Sequence, residues 1–217
     1  MTTVSLGRSL AVAVLLVTAG CVGGLGGGGG VLGGPLSCSD APVHVSEQAV
    51  AETPFEQVTD EPVTFERTLE VQGQSQTVEM NAHMVQLERT YQGAPLGTMV
   101  ILSLPQVRIL GQQVNVIERV GVTSLISRAR SESGELERDQ KIDEFQTPAL
   151  GSNRTVEVFR GTASREGRET KARIYVTTFD HRGDTIVGVS IVPESAGSER
   201  GAVSTILGGV EYEGDDS

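Results

Sequence analysis

The sequence contains no tryptophan and few other aromatic residues, with three tyrosines and five phenylalanines in 217 positions. Sites for sugars and nucleobases usually stack the ligand on an aromatic side chain, so this scarcity disfavours both ligand classes. Nucleic acid is disfavoured further by charge. The 28 acidic residues outnumber the 17 cations and give a net charge of −11, which repels phosphate groups.

Lysine is also scarce, because Lys141 and Lys171 are the only lysines and the other cations are arginines. An acidic sequence with little lysine resembles proteins of salt-loving archaea, whose carboxylates keep the surface hydrated in concentrated salt. At such salt the Debye length falls to about 3 Å, so the net charge cannot steer a partner over distance. The charge therefore indicates a habitat rather than a ligand.

Long apolar runs are missing, and the run at residues 10–17 is shorter than the roughly 20 residues that span a bilayer. This run follows Arg8 and precedes small residues and Cys21, which is the order of a secretory signal that ends in a lipobox. We predict that residues 1–20 are a signal peptide for the general secretion route. Residues 21–38, rich in glycine, are predicted to be a flexible tether.

Cysteine is limited to Cys21 and Cys38. We predict that Cys21 carries lipid, because one acyl anchor followed by a flexible spacer accounts for the glycines. Cys38 would then be unpaired and without a role. The alternative is an ordinary cleaved signal followed by a disulfide between the two cysteines. Lipidation predicts a protein anchored to the outer face of the cell membrane.

Residues 39–217 are predicted to form one domain. Alternating apolar residues predict a hairpin at 63–84, and the break in this alternation at Met84-Val85 predicts a bulge. The continuous apolar run at 99–104 predicts a central strand that is buried on both faces. Four alternating segments between 142 and 192, separated by turn residues, predict an antiparallel meander.

Helical patterns are fewer. Ser46 is a candidate cap for a short helix, and apolar stripes at 122–129 and 203–210 predict a mid-chain helix and a C-terminal helix. The predicted fold class is α+β, with a single antiparallel β-sheet of about six strands on which the mid-chain helix and the C-terminal helix pack.

Three segments together resemble a known family. They are the lipobox with its glycine spacer, the stretch Leu-Ser-Leu-Pro-Gln-Val-Arg-Ile-Leu-Gly at 102–111 leading through Asn115, and the closing Gly-Gly-Val-Glu at 208–211. They resemble haloarchaeal lipoproteins known only as a domain of unknown function, over nearly the whole chain. The resemblance implies a habitat and a location but no catalytic residue. The order of elements is similar to the photosystem extrinsic protein and Mog1-like architecture.

Histidine occurs at His44, His83 and His181, in three separate segments. None has a second metal ligand at a spacing such as His-x-x-x-His, and His83 falls between inward positions of the hairpin. We interpret all three as exposed to solvent.

The acidic residues also lack a metal-binding pattern. Two groups are candidates for calcium, which needs several oxygens that converge on one point. Neither has the spacing of a calcium loop, so the sequence predicts no metal and no cofactor. The groups are Asp139, Asp143 and Glu144, and Asp180 with Asp184.

Catalytic motifs are missing as well. The sequence has no Gly-x-Ser-x-Gly elbow, and the glycine tract at 23–34 lacks the lysine of a phosphate loop. We therefore predict that the protein is not an enzyme. Asn153-Arg154-Thr155 is a candidate N-glycosylation sequon.

The leading functional hypothesis is a non-catalytic accessory module of the archaeal cell envelope, anchored to the membrane through lipid on Cys21. Its predicted partner is an envelope protein of unknown identity, and not nucleic acid. The alternative is a small carrier that holds an apolar ligand between sheet and helix. The candidate lining residues of such a carrier are Met80, Met84, Leu125 and Ile126.

Overall fold

The computed structural model describes residues 20–22, 36–71, 74–91, 94–109, 112–114, 117, 136–165 and 168–213. These residues include the helices α1 (Glu47–Ala51) and α2 (Arg200–Gly208) and a 3₁₀ turn at Glu194–Ala196. The strands are β1 (Gly20–Val22), β2 (Leu36–Ser39), β3 (Val43–Val45), β4 (Glu56–Val71), β5 (Gln74–Tyr91), β6 (Ala94–Pro105), β7 (Val107–Ile109), β8 (Gln112–Val114), β9 (Leu136–Ala149), β10 (Ser152–Arg165), β11 (Arg168–His181), β12 (Asp184–Pro193) and β13 (Val210–Tyr212).

Nine strands form one sheet in the order β1-β2-β5-β6-β12-β11-β10-β9, with β4 paired to β5. Because β2 runs parallel to β5, the sheet is mixed. The described chain is mostly strand and contains two short helices, so the predicted α+β fold with an antiparallel sheet of about six strands is wrong. The predicted mid-chain helix at 122–129 lies outside the described residues. Of the C-terminal stripe, Val203, Ile206 and Leu207 lie in α2, whereas Val210 begins β13.

The alternating patterns predicted much of the strand pairing. The predicted hairpin corresponds to β4 and β5, and the predicted meander corresponds to β9, β10, β11 and β12, which pair antiparallel in that order. The predicted central strand is β6, which lies between β5 and β12. These three predictions are confirmed.

Strand β5 organises one half of the sheet. β4 pairs with it along nearly its whole length, so β2 and β6 share its other edge. β2 pairs with residues 78–81 and β6 pairs with residues 83–91. At the junction between them, the Asp40 N–H donates to the Asn81 carbonyl (3.2 Å) and the His83 N–H donates to Asp40 Oδ2 (3.0 Å). The end of β2 is thereby fastened to the middle of β5.

Apolar layers cover both faces of the sheet. Met84 pairs with Leu102, and both belong to a layer that also contains side chains of β7 and β8. Val85 pairs with Ile101, and both belong to a second layer built with α1, α2, β3 and β13. The register is continuous at Met84 and Val85, so the predicted bulge is wrong. Consecutive residues are buried because each face has its own cover.

The two described helices belong to the second layer. Ser46 caps α1, since its Oγ accepts from the Ala49 N–H (3.3 Å), as predicted. Val203, Ile206 and Leu207 form the buried side of α2. Neither helix has the length and apolar character needed to cross a membrane.

The first two strands carry the two cysteines. β1 pairs antiparallel with β2, and Cys21 lies opposite Cys38 in this register. Cys38 is buried and disulfide-bonded, and the sequence contains one other cysteine. This arrangement corresponds to the alternative in which Cys21 and Cys38 form a disulfide. The glycine tract between these strands lies outside the described residues.

Candidate functional site

Two of the three histidines meet one carboxylate at one end of the sheet. Ligand atoms of His44, Asp60 and His83 all lie within 4.8 Å of one another. In the described part of the chain, this is the one group of three or more such side chains that is compact enough for a metal ion. We call these three residues the His–Asp–His cluster.

The pairing of β4 with β5 places two members of the cluster. His83 lies opposite Pro62, and Asp60 is two residues before Pro62, so Asp60 and His83 are diagonal neighbours on one face. Pro62 is compatible with this position because β4 is an edge strand, and an N–H that faces away from β5 has no ladder partner to lose.

The short ladder of β3 with β13 places the third member. Val43 and Val45 point into the second apolar layer, so the intervening His44 points away from it. His44 pairs with Glu211, and Glu213, two residues further, lies diagonally across from it. The cluster is therefore assembled from a hairpin of the main sheet and from a separate two-stranded ladder that packs on it.

The side chains of the cluster contact one another directly. Asp60 Oδ1 lies 2.6 Å from His83 Nε2, and Asp60 Oδ2 lies 3.0 Å from His44 Nδ1. The other nitrogen of His44, Nε2, lies 3.1 Å from Glu213 Oε1. The two imidazole rings meet edge to face, with centroids 5.1 Å apart.

The cluster is open to solvent on one side. The side chains of His44, Asp60 and His83 keep 36%, 22% and 10% of their accessible surface. Small solutes can therefore contact His44 and Asp60 from solvent.

His44 and Asp60 shift each other's pKa toward the charged forms of an ion pair. Partial burial lowers the pKa of His44, but hydrogen bonds and charges from Asp60 and Glu213 outweigh it and raise the pKa above its usual 6.5. Partial burial raises the pKa of Asp60, but the bonds to the two histidines outweigh it and lower the pKa below 3.8. Both shifts favour a proton on His44 beside an ionised Asp60.

Two further carboxyl groups lie behind the cluster. Burial and the neighbouring charge of Asp184 raise the pKa of Asp40 to about 7. Burial also raises the pKa of Asp184, although its Oδ2 accepts from the Ala41 N–H (2.8 Å) and from the Tyr212 hydroxyl (2.7 Å). These bonds fasten the segment after β2 and the strand β13 to the start of β12.

The sequence interpretation of the histidines is wrong for His83, which is 8% exposed. His83 is on the same face as Val85, and the second apolar layer covers that face. His181 is outside the cluster, and its ring packs edge-on against Tyr212. The signal that joins His44, Asp60 and His83 is a contact between distant strands, which residue spacing along the chain does not encode.

Carboxylates of the two candidate calcium groups contact other side chains. Asp180 accepts from the Thr185 hydroxyl (2.8 Å), whereas Asp184 points into the interior toward Tyr212. Asp139, Asp143 and Glu144 are exposed on β9, where Glu144 pairs with Lys141 (2.7 Å).

The modification sites predicted from the sequence lie on strands. Cys21 is the middle residue of β1, and its lipidation stays a prediction. Asn153 is exposed near the start of β10, next to the turn that follows β9. Its glycosylation also stays a prediction.

Of the four residues predicted to line a carrier cavity, the structure describes two. Met80 and Met84 are buried in the first apolar layer, while Leu125 and Ile126 lie outside the described residues. A pocket of about 50 Å³ opens elsewhere, between the end of β6 and the start of β12. Its lining includes Leu104, Gln106, Gln113, Val114, Asp180 and Thr185.

Residues 42–211 match a family model described as a domain of unknown function, DUF6517. This span includes His44, Asp60 and His83. No curated protein and no solved structure matches the chain. The likeness to Mog1-like architecture therefore stays an expectation.

Proposed function

This chain belongs to the DUF6517 family, and from that premise we propose a lipid-anchored, non-catalytic module of the archaeal cell envelope that binds another envelope component. The family description assigns no activity, so the proposal rests on the sequence and on the candidate site.

The observation that carries the proposal is the form of the His–Asp–His cluster. Its side chains hold one another by hydrogen bonds, they are mounted on strands, and they remain open to solvent on one side. Fixed polar groups on rigid elements suit recognition, because little side-chain freedom is lost when a ligand arrives. We therefore assign binding to this end of the sheet.

Location outside the cytoplasm is supported by independent features. The sequence offers a secretion signal, a cysteine in lipobox position and a glycine spacer, and its acidic surface suits a haloarchaeal setting. In chains whose Cys21 carries no lipid, the disulfide of Cys38 is also typical of an oxidising compartment. Lipid on Cys21 would hold the domain at the outer face of the membrane.

The proposal is tested by cross-linking in intact cells at native salt, followed by purification of the full-length protein. The wild type is compared with Cys21→Ser, which cannot be lipidated, and with Asp60→Asn, which weakens the cluster. We expect one envelope protein to be recovered with the wild type and to be depleted with both variants. If no partner is recovered with the tethered wild type, the proposal is wrong.

The carrier hypothesis stays a prediction, and no feature of the described residues favours it. The pocket of about 50 Å³ beside β6 is smaller than the roughly 150 Å³ of a cavity that holds benzene. Extraction of the purified protein with organic solvent and mass spectrometry of the extract would detect a stoichiometric apolar ligand.

A further inference from the structure

We propose that His44, Asp60 and His83 bind one divalent transition-metal ion of the zinc class, and that Glu213 orients His44 toward that ion. The inference goes beyond the anchored binding function, because it holds whether or not a protein partner is recovered.

The first support is the set of donor atoms. Two imidazole nitrogens and one carboxylate are the ligands that zinc and related transition metals take in proteins. Calcium and magnesium prefer oxygen ligands alone. The chemistry of the cluster therefore selects against the two cations that an acidic surface would otherwise attract.

The second support is distance. Ligand atoms around tetrahedral zinc are separated by about 3.3 Å, given bonds of about 2.0–2.2 Å. In the structure, Asp60 Oδ2 lies 3.0 Å from His44 Nδ1, and Asp60 Oδ1 lies 2.6 Å from His83 Nε2. The full set falls within 4.8 Å. Small rotations of side chains are enough to place all three donors around one ion.

The third support is the position of Glu213. A histidine ligand commonly donates its second ring N–H to a carboxylate, which fixes the tautomer and the orientation of the ring. His44 directs Nδ1 toward Asp60 and presents Nε2 to Glu213 Oε1 at 3.1 Å. With the proton on Nε2, the lone pair of Nδ1 is directed into the cluster. Glu213 is therefore a positioning residue and not a ligand.

The backbone holds His83 in place from behind. Its N–H donates to Asp40 Oδ2 (3.0 Å), and the residue is 8% exposed. His44 and Asp60 are more accessible. The site thus has one rigid, buried ligand and two ligands at the surface through which an ion can enter. Three protein ligands leave a coordination position for water.

The test is calorimetric titration of the full chain with zinc at molar salt and alkaline pH, because a metal ion competes with protons for the imidazole nitrogens. The protein carries no histidine tag, and reductant is omitted so that Cys38 stays disulfide-bonded and offers no thiolate. Cobalt replaces zinc in a second titration, because its absorption spectrum reports coordination by nitrogen and oxygen directly. Calcium and magnesium are added as competitors.

Wild-type protein is expected to bind one zinc ion per chain, with no displacement by calcium or magnesium. His44→Gln, His83→Gln and Asp60→Asn each remove a donor and should weaken binding by about tenfold or more. Glu213→Gln should weaken it by about tenfold, as expected for the loss of an orienting carboxylate. The matched control is His181→Gln, which removes a histidine at the same end of the sheet and should bind zinc like the wild type.

Folding is checked for every variant by circular dichroism and thermal melting. Zinc should raise the melting temperature of the wild type and of His181→Gln but not that of His44→Gln. If His83→Gln fails to fold, His44→Gln carries the test, because His44 lies nearer the surface. The proposal is overturned if the wild type binds no zinc, if His44→Gln binds as tightly as the wild type, or if His181→Gln abolishes binding.

Discussion

At the scale of single residues, Asp184 combines deep burial with a carboxyl group. It is 1% exposed, and its Oδ2 alone accepts from both Ala41 and Tyr212. Burial raises the pKa of Asp184 above its usual 3.8. The two hydrogen bonds and the nearby His181 lower the pKa, but their effect is smaller than that of burial. The folded protein therefore holds this proton more tightly than the unfolded chain does.

A raised pKa in the folded state has a definite sign for stability. The protonated carboxyl group contributes fully to the free energy of unfolding below pH 3.8. This contribution is lost as the pH rises through the higher pKa of the folded state. Asp184→Asn imitates the neutral acid and keeps one oxygen as acceptor for both donors. We expect the stability of Asp184→Asn relative to wild type to increase with pH across this window, as measured by urea unfolding at several pH values.

Asp184→Ala is the control for this prediction. It removes the acceptor of two buried donors and should be less stable than Asp184→Asn by about 1–3 kcal/mol at every pH, because neither variant titrates at this position. A difference between wild type and Asp184→Asn that does not change with pH would contradict the prediction. Asp40 titrates in an overlapping range, and its pKa should fall in Asp184→Asn because the neighbouring negative charge is gone.

Residue identity alone predicted the cap at Ser46 but not the cluster. Ser46 acts on Ala49, three residues away, so its role can be read along the chain. His44, Asp60 and His83 come together through two different ladders and the packing of one on the other. The sequence shows the alternation of β4 and β5, but β3 and β13 have three residues each, too few for a pattern. No pattern along the chain gives the placement of one ladder on the other.

At the scale of elements, α1 and the end of α2 meet at Gly209. The Gly209 N–H donates to the carbonyls of Thr205 and Ile206, and its own carbonyl accepts from the Ser46 N–H (2.9 Å). A Cβ on Gly209 would overlap Ala49 Cβ and would lie 2.8 Å from Ser46 Oγ. The close approach of the two helices therefore depends on the missing side chain.

Gly209→Ala is expected to destabilise the protein by about 1–3 kcal/mol, because the backbone must move to relieve the overlap. Gly208→Ala is the matched control. A Cβ there meets Pro148 only at 3.7 Å, and alanine favours the helix by about 0.5–1 kcal/mol relative to glycine. Urea unfolding of both variants checks the prediction, and equal stability of the two would contradict it.

Periodicity predicted the long strands and failed for the short ones. β4, β5 and the strands from β9 to β12 alternate over many residues, so their pairing could be inferred. β1 and β2 have three and four residues, too few to show alternation, and β2 pairs parallel with a distant strand. The fold class was wrong for this reason. It was also wrong because the predicted C-terminal helix is only nine residues long, ends at Gly208 and leaves Val210 in β13.

At the scale of the whole molecule, the sulfur of Cys21 can form a disulfide or carry lipid, but not both. Cys38 is disulfide-bonded, and Cys21 lies opposite it in the pairing of β1 with β2. A cysteine that carries lipid through a thioether cannot also form a disulfide. The disulfide and the proposed anchor therefore describe two different forms of the protein.

Replacement of Cys38 separates these forms. Cys38→Ser frees the Cys21 thiol, so the membrane-anchored fraction should stay the same or rise, whereas Cys21→Ser should release the protein from the membrane. Fractionation of cells, followed by detergent phase partition, measures this. A loss of anchoring in Cys38→Ser would contradict the prediction. In chains that do form the disulfide, the substitution should lower stability by about 3 kcal/mol, as expected for a loop of this length.

The joint between β6 and β12 divides the sheet into two parts that form from local contacts. One part is the run of hairpins from β4 to β6, and the other is the meander from β9 to β12. The pairing of β6 with β12 joins residues about 80 to 90 positions apart, so it cannot form before β12 is available. Such distant pairing raises the contact order and slows folding. The chain therefore stays incompletely folded until nearly all of it is available, which suits export of an extended chain through the predicted general secretion route.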